Sequence, residues 1–350
     1  MKKQKLIHSG SFSEVHLATP DPSPKAYFTR YLNDLHGALP PKFAAKIVAA
    51  ADEHLFKREV RVLAALQQIS PAHFIRLYDT MICVEPGKKT QTVSLVMCLE
   101  LATCDLYELS EEYRLAPCVV QRMIREVAAG LHVMHTAGYI HTDIKPENIF
   151  FISNEDLQAS LDAYASQSAG PRFVIADFDT CQTQGKPLNK RVGTTCFKAP
   201  ELCMRLDYTS AIDIWSLGML YFEALTGKGL IKVDSPSESL SASSSSSDDM
   251  LPWFIEEIAQ MEFYFGKMPV GLLVSPAHYT GGGDCPNCSA PFTATKDSEL
   301  KHGAFTGVPL TERLKKIDNS PQHAAFVSWL AQMNPLQRPS AEEVANSRII

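Results

Sequence analysis

At 350 residues the chain is long enough for one large domain or for two lobes sharing a sizeable core. Its 45% hydrophobic and 21% charged content excludes a disordered chain, and no apolar run approaches the roughly 20 residues of a membrane span. With 39 acidic and 33 basic residues the net charge is −6, which argues against direct nucleic-acid binding and for cationic partners.

Met1-Lys2-Lys3-Gln4-Lys5 leads into no long apolar core, so no signal peptide is expected. Nine cysteines, scattered through apolar runs, read as reduced thiols of an intracellular protein, cytoplasmic or nuclear. Ile7-His8-Ser9-Gly10-Ser11-Phe12-Ser13-Glu14-Val15 comes next, a weak signal by itself. Pro20-Asp21-Pro22-Ser23-Pro24 and Pro40-Pro41 bracket an insertion over about 20–41 that no central strand tolerates. A surface loop between two strands is expected there.

Phe43-Ala44-Ala45-Lys46-Ile47-Val48 reads as a buried strand carrying one lysine, which is costly unless paired. His54 to Leu66 has helical periodicity, with Leu55, Val62, Leu63 and Leu66 on an apolar stripe. Glu59 within it is the expected partner of Lys46; Glu53 falls too early and Glu111 beyond the next strands. Val93 to Ala102 is a second apolar strand. Pro117 to Ala137 is an amphipathic helix closed by Gly138 in the C′ position.

The run His141-Thr142-Asp143-Ile144-Lys145-Pro146-Glu147-Asn148 then puts a carboxylate, an ammonium and an amide on one short loop. Phosphoryl transfer needs that set: an acceptor for the substrate hydroxyl proton, a cation on the transferring phosphate and an oxygen ligand for Mg²⁺. The spacing Asp-x-Lys-x-x-Asn resembles the catalytic loop of the eukaryotic protein kinases. The resemblance implies an α+β, two-lobed fold with ATP between the lobes. A small antiparallel sheet with one key helix would occupy residues 1–101, and a larger, mainly helical lobe residues 102–350.

By the same resemblance Asp143 is the base and Lys145 neutralises the γ-phosphate. Asn148 holds Mg²⁺ together with Asp177 of Asp177-Phe178-Asp179, and Glu59 holds Lys46 on the α/β phosphates. Gly10 is the one glycine kept from the phosphate-covering GxGxxGxV pattern, with His8 and Ser13 at the other two places. Val15 and Ala44 belong to the adenine pocket, Leu99 is its gatekeeper and Phe150 its floor. Backbone groups of Glu100 and Ala102 bind adenine, and Asp105 reaches the ribose.

Gly193-Thr194-Thr195-Cys196-Phe197-Lys198-Ala199-Pro200-Glu201 resembles the end of a kinase activation segment, with Glu201 expected to pair with Arg338. Asp213 of Asp213-Ile214-Trp215-Ser216-Leu217-Gly218 is expected to anchor the catalytic-loop backbone. Two departures stand out. Thr142 replaces the arginine that would pair with a phosphate on the activation segment, which implies a site organised without that phosphate. Asp179 replaces glycine, removing a permissive backbone position, although aspartate tolerates the left-handed region better than most residues.

Ser153 to Pro171 reads as a polar insertion, and Ser235 to Asp249, with five consecutive serines, as a disordered linker. Ile258 to Pro269 resembles the helix and turn of the CMGC kinases, with an insert of that group over about 270–310. His-Thr-Asp-Ile-Lys-Pro-Glu-Asn is the form typical of SR-protein kinases, with the LAMMER kinases next. The substrate implied is a protein serine or threonine in an Arg/Ser-rich segment. Asp248, Asp249, Glu256, Glu257 and Glu262 are the candidate acidic surface, against the alternative of a solvated helix face. Cys285-Pro286-Asn287-Cys288 reads as a loop turn, with zinc as the alternative, since a tetrahedral site needs two further ligands. A monomer is expected. The rival functional readings are a pseudokinase, motivated by the eroded glycine loop and Asp179, and a small-molecule kinase.

Overall fold

The computed structural model describes residues 1–10, 13–21, 27–30, 39–86, 91–153, 156–167, 170–186, 188–189, 191–232, 251–267, 269 and 307–349. The serine run, the Cys285/Cys288 pair, Asp248, Asp249 and most of the 270–310 insert lie outside these residues. By its packing the chain divides into two units. One holds Met1–Leu109 with Glu147–Cys181, the other Ser110–Pro146 with Gln182–Ile350.

The first unit is built on a six-stranded sheet whose neighbours all pair antiparallel. Its order is β1 (Lys2–Ser9), β2 (Ser13–Thr19), β4 (Phe43–Ala49), β6 (Gln91–Leu99), β5 (Leu77–Pro86) and β3 (Tyr27–Arg30). Alternation along β4 sends successive side chains to opposite faces. Phe43 and Ala45 join Ala18, Cys83, Val96 and Cys98 in one core cluster; Ala44, Lys46 and Val48 face the other way. The stretch read as a loop over 20–41 thus contributes β3, at the sheet edge, where nearby prolines cost no ladder bond.

Helix α1 (Glu53–Ile69) buries Phe56, Glu59, Val60, Val62, Leu63 and Leu66. Leu55, placed on the apolar stripe by periodicity, is only half-buried. Leu55 is in phase with the buried Val62 and Leu66 but lies in the first turn of the helix, whereas Phe56 is buried fully. The insertion read over 153–171 is partly helical. It contains α4 (Leu157–Ala165), whose N-terminal amides of Gln158 and Ala159 donate to the Asp156 carboxylate. Tyr164 on that helix is fully buried and meets Phe151 and Phe173 edge-on, at 6.1 and 5.1 Å between ring centres. Those rings lie on β9 (Ile149–Ile152) and β10 (Arg172–Ile175), which form a small sheet with β7 (Cys104–Asp105).

The second unit is mainly helical. Helix α3 (Pro117–Thr136) starts with proline at its first position and gives way to Gly138 at φ 80°. Helix α6 (Ala211–Thr226) is buried nearly all round and stops at Gly227, in the left-handed conformation at φ 69°. It packs with α3 and with α9 (Ser320–Leu330). A Cβ on Gly218 would come 3.1 Å from the Cβ of Leu330, so a larger residue there requires Leu330 to yield by a few tenths of an ångström. An antiparallel sheet unit and a helical unit make the α+β class expected. Among the described residues no helix is long and apolar enough to cross a membrane.

Arg338 lies inside the second unit with its side chain fully buried. It donates to both oxygens of Glu201 at 2.6 and 2.8 Å, to the carbonyls of Gln332 and Ala211 at 2.8 and 3.0 Å, and stacks 5.2 Å over Trp215. Most of the donors of a buried guanidinium are thereby met. Glu201→Ala leaves that charge without its counter-ion, so a loss of about 3–5 kcal/mol is expected, measured as a lower urea midpoint of unfolding.

Candidate active site

In the first unit the site grows from β4. Lys46 faces Val15 on β2 and Met97 on β6 in the ladder, so its stem is flanked by apolar strands on both sides. Its ammonium donates to both carboxylate oxygens of Glu59, at 2.9 and 2.8 Å, and to Oδ1 of Asp177 at 2.7 Å. The side chains of Lys46 and Glu59 are 11% and 3% exposed, that of Asp177 38%. The buried pair is therefore closed to water while Asp177 keeps an open side. Burial alone would push the Lys46 ammonium down; the Asp177 and Glu59 carboxylates, with Asp179 behind them, carry it above the ordinary lysine value. Burial raises the Glu59 carboxyl, against the pull of Lys46. Of the alternative partners, Glu53 pairs instead with Lys57 at 3.0 Å.

Asp177 sits at φ 63°, in the left-handed region. Position 179, where aspartate stands for glycine, is not among the positive-φ residues. The conformational demand of this turn thus falls on Asp177, and the replacement at 179 costs the backbone little. Phe178 is fully buried, its ring 6.0 Å from that of Phe74. Asn148 is brought alongside by the chain, since its carbonyl accepts the Ala176 amide at 3.0 Å. Its side chain is buried.

Two oxygen donors of this kind suit Mg²⁺, which keeps several waters and takes one or two protein oxygens plus phosphates. No group of three or more His, Cys, Asp or Glu able to hold a metal occurs among the described residues. The donor set therefore fits a metal that arrives with phosphates and does not fit a dedicated protein cage.

Gly10 donates its amide to the Ser13 carbonyl at 2.9 Å, closing the turn between β1 and β2; Ser11 and Phe12 lie outside the described residues. Gly10 has no positive φ, and a Cβ there would meet only ordinary contacts. The turn itself does not require glycine. Ala44 pairs with Leu99 across β4 and β6. The Glu100 amide is used by the Arg76 carbonyl at 2.7 Å, and its side chain is pinned by Arg172 at 2.7 and 2.8 Å. Of its two backbone groups only the carbonyl is therefore open to adenine. Ala102 and Phe150 are half-buried, and Phe150 pairs with Asp105 on one side and Val174 on the other.

In the second unit Asp143 and Lys145 form a triangle with Thr194. The Lys145 ammonium lies 3.0 Å from Oδ2 of Asp143 and donates to the Thr194 hydroxyl at 3.1 Å. That hydroxyl donates to Oδ1 of Asp143 at 2.7 Å. Thr194 was legible as part of a motif but carries no chemical signature in sequence; only the fold aims its hydroxyl here. Thr142 is held at φ 75°, unusual for a β-branched residue. Asp213, in the first turn of α6, holds it there by accepting the Thr142 and His141 amides at 2.9 Å each and a 2.8 Å contact from His135. Gly193, at φ 81°, lies against this loop; a Cβ there would come 3.0 Å from the Thr142 carbonyl, so glycine is required.

The acidic candidates fare differently. Glu257, on α7 (Leu251–Phe265), is buried and accepts from the Cys203 thiol at 3.3 Å. Glu262, on the same helix, has a side chain only 7% exposed and pairs with Lys267 at 3.0 Å. Neither offers a free carboxylate to an arginine-rich peptide. The side chain of Glu256 lies outside the described residues.

The protein kinase domain profile matches residues 41–350. Mitogen-activated protein kinase HOG1B of Wallemia ichthyophaga is 31% identical over 177 residues, covering 50% of this chain and 42% of the relative. Serine/threonine-protein kinase PkaB of Streptomyces coelicolor is 30% identical over 182 residues, with 51% and 40% covered. Mitogen-activated protein kinase 3 of Arabidopsis thaliana is 29% identical over 196 residues, with 53% and 46% covered. The chain thus spans less than half the length of each of these relatives.

Asp105 yields a test of the electrostatics. Its Oδ1 accepts the Glu108 amide at 2.7 Å, capping α2 (Leu106–Glu112). Burial, reinforced by the Glu108 and Glu147 charges, pushes its carboxyl up to about 6 from an ordinary 3.8. A raised value means that the folded state holds the proton more tightly, so stability falls as the pH rises from 3.8 to about 6. Asp105→Asn keeps a capping oxygen and escapes that loss. Its stability relative to wild type is expected to climb across this window and level off above it. The gain is about 1 kcal/mol once solvent screening of a half-exposed group is allowed for, read from urea titrations at a series of pH values.

Proposed function

The chain belongs to the protein kinase domain family, and from that premise we propose that it is a serine/threonine protein kinase of CMGC type. It would transfer the γ-phosphate of ATP to a protein hydroxyl. The observation that carries this reading is the triangle of Asp143, Lys145 and Thr194, in which a carboxylate, an ammonium and a hydroxyl meet within 3.1 Å. Mg²⁺ and ATP, when bound, supply the transferable phosphoryl group and the metal charge that neutralises its oxygens.

The residues divide the remaining work. Lys46, kept cationic by the carboxylates around it, binds phosphate oxygens, and Glu59 fixes its ammonium. Asp177 and Asn148 are the metal's protein ligands. Asp143 orients the acceptor hydroxyl and takes its proton, while Lys145 offsets charge on the transferring group. Gly10 and Val15 cover the nucleotide; Ala44, the carbonyl of Glu100, Ala102 and Phe150 serve adenine, and Asp105 the ribose. Thr142, which lacks the positive charge to pair with an activation-segment phosphate, supports a site organised without that phosphorylation. An Arg/Ser-rich acceptor of the SR-protein-kinase type remains one acceptor class to test, with less support from Glu257 and Glu262 now that both are buried and paired.

The test is phosphate transfer from labelled ATP to an Arg-Ser repeat peptide and to a generic basic protein, with and without Mg²⁺. Wild type is expected to transfer only with Mg²⁺, and Asp143→Ala and Asp177→Ala to lose about a thousandfold or more in rate. Transfer to the generic acceptor alone keeps the kinase and removes the arginine-rich substrate. Nucleotide binding without transfer to any acceptor overturns the kinase and identifies a pseudokinase.

A further inference from the structure

The chemistry assigned above gives no task to Arg58, the residue before Glu59 on α1. Arg58 is half-buried, and its Nη1 donates to the main-chain carbonyl of Asp179 at 2.8 Å. Helix α1 therefore reaches the 177–179 turn through two neighbouring side chains. Glu59 does so through Lys46, which it shares with the Asp177 carboxylate; Arg58 does so directly, on the main chain two residues further on.

This turn needs such a hold. Asp177 stands in the left-handed region, a conformation that persists only where surrounding contacts over-determine it. Phe178 is packed on one side, and the Cys181 amide closes back on the Phe178 carbonyl at 3.2 Å. The bond from a guanidinium to a carbonyl is charge-assisted and stronger than the neutral bond beside it. The charges also balance locally: Asp179 acts on both Lys46 and Glu59, so an arginine beside it offsets part of the acidic excess.

We propose that Arg58 is a positioning residue of the nucleotide site, holding Asp177 in its metal-facing conformation through the Asp179 carbonyl. The proposal rests on the kinase reading for its consequence, though the clamp itself is independent of it. The clamp is made of unmodified side chains, so the turn is organised by the resting chain.

The experiment uses the full chain as wild type, Arg58→Ala, Arg58→Lys and Arg61→Ala, the last removing an exposed arginine from the same helix. Hydrogen exchange of the 176–181 amides is measured without ligand. The Mg²⁺ concentration that half-saturates the ADP-induced thermal shift is measured beside it, and kcat and KM for ATP at saturating Mg²⁺. Arg58→Ala is expected to speed exchange of those amides about tenfold. It should also raise the half-saturating Mg²⁺ and lower kcat by about tenfold each, with KM for ATP within about twofold of wild type. Arg58→Lys, which keeps the charge but loses the planar fork, recovers part of each effect and carries the test if Arg58→Ala does not fold. Arg61→Ala matches wild type.

Unchanged exchange in Arg58→Ala overturns the proposal. Faster exchange with an unchanged Mg²⁺ dependence also overturns it, reducing Arg58 to a structural contact. Wild type that binds ADP with Mg²⁺ but transfers no phosphate removes the kinase reading alone, and exchange and binding still decide on Arg58. Wild type without Mg²⁺-dependent ADP binding overturns both.

Discussion

A lysine ammonium inside an apolar strand is the constraint to which the first unit is built. Lys46 lies between β2 and β6, where an unpaired charge would cost several kcal/mol. Two carboxylates from distant parts of the chain answer it, Glu59 at 2.8 Å and Asp177 at 2.7 Å. Each brings its own element: Glu59 fixes the rotation of α1 against the sheet, and Asp177 fixes the end of β10. The helix then presents Phe56, Glu59, Val60 and Leu63 inward. One buried charge thus specifies the register of a helix and the path of a turn.

The second unit solves a related problem with the opposite sign. Asp213 is a fully buried carboxylate at the start of α6, where the helix dipole favours it. Its oxygens accept the main-chain amides of His141 and Thr142, so it stabilises a backbone that a β-branched residue would otherwise leave. That backbone aims Asp143, and Gly193 must be glycine because the same loop comes so near. The Thr194 hydroxyl then bridges Asp143 and Lys145 and keeps these two charged groups in fixed geometry. In both units a residue at positive φ, Asp177 or Thr142, stands at or beside the charged side chain, and that backbone needs the anchoring.

The groups with chemistry were legible because their types and spacings are demanding. A lone lysine in an apolar strand and Asp-x-Lys-x-x-Asn each state a physical need in one dimension; Asp177 and the pairing of Glu201 with Arg338 came from the resemblance of their motifs. What periodicity could not resolve was depth at a helix end: Leu55 shares a face with Val62 and Leu66 but is only half-buried in the first turn. Composition gave no sign of the helix in the stretch 153–171, where Ser160, Leu161 and Tyr164 bury one face. Acidic composition on α7 suggested an open surface, whereas Glu257 and Glu262 are spent on contacts within the chain.

By itself, the sequence determined the list of charged groups, since burial of charge is a local property of a chain, and the α+β class through the resemblance its motifs carry. Only the tertiary structure decided which partner each group meets and which residue bears the strain. Asp179 looked like the costly replacement, yet the left-handed conformation falls on Asp177. Arg58 carries no signal in the sequence, yet its guanidinium reaches the Asp179 carbonyl. Both outcomes depend on contacts more than a hundred residues apart in the chain, and no local pattern encodes a distance of that kind.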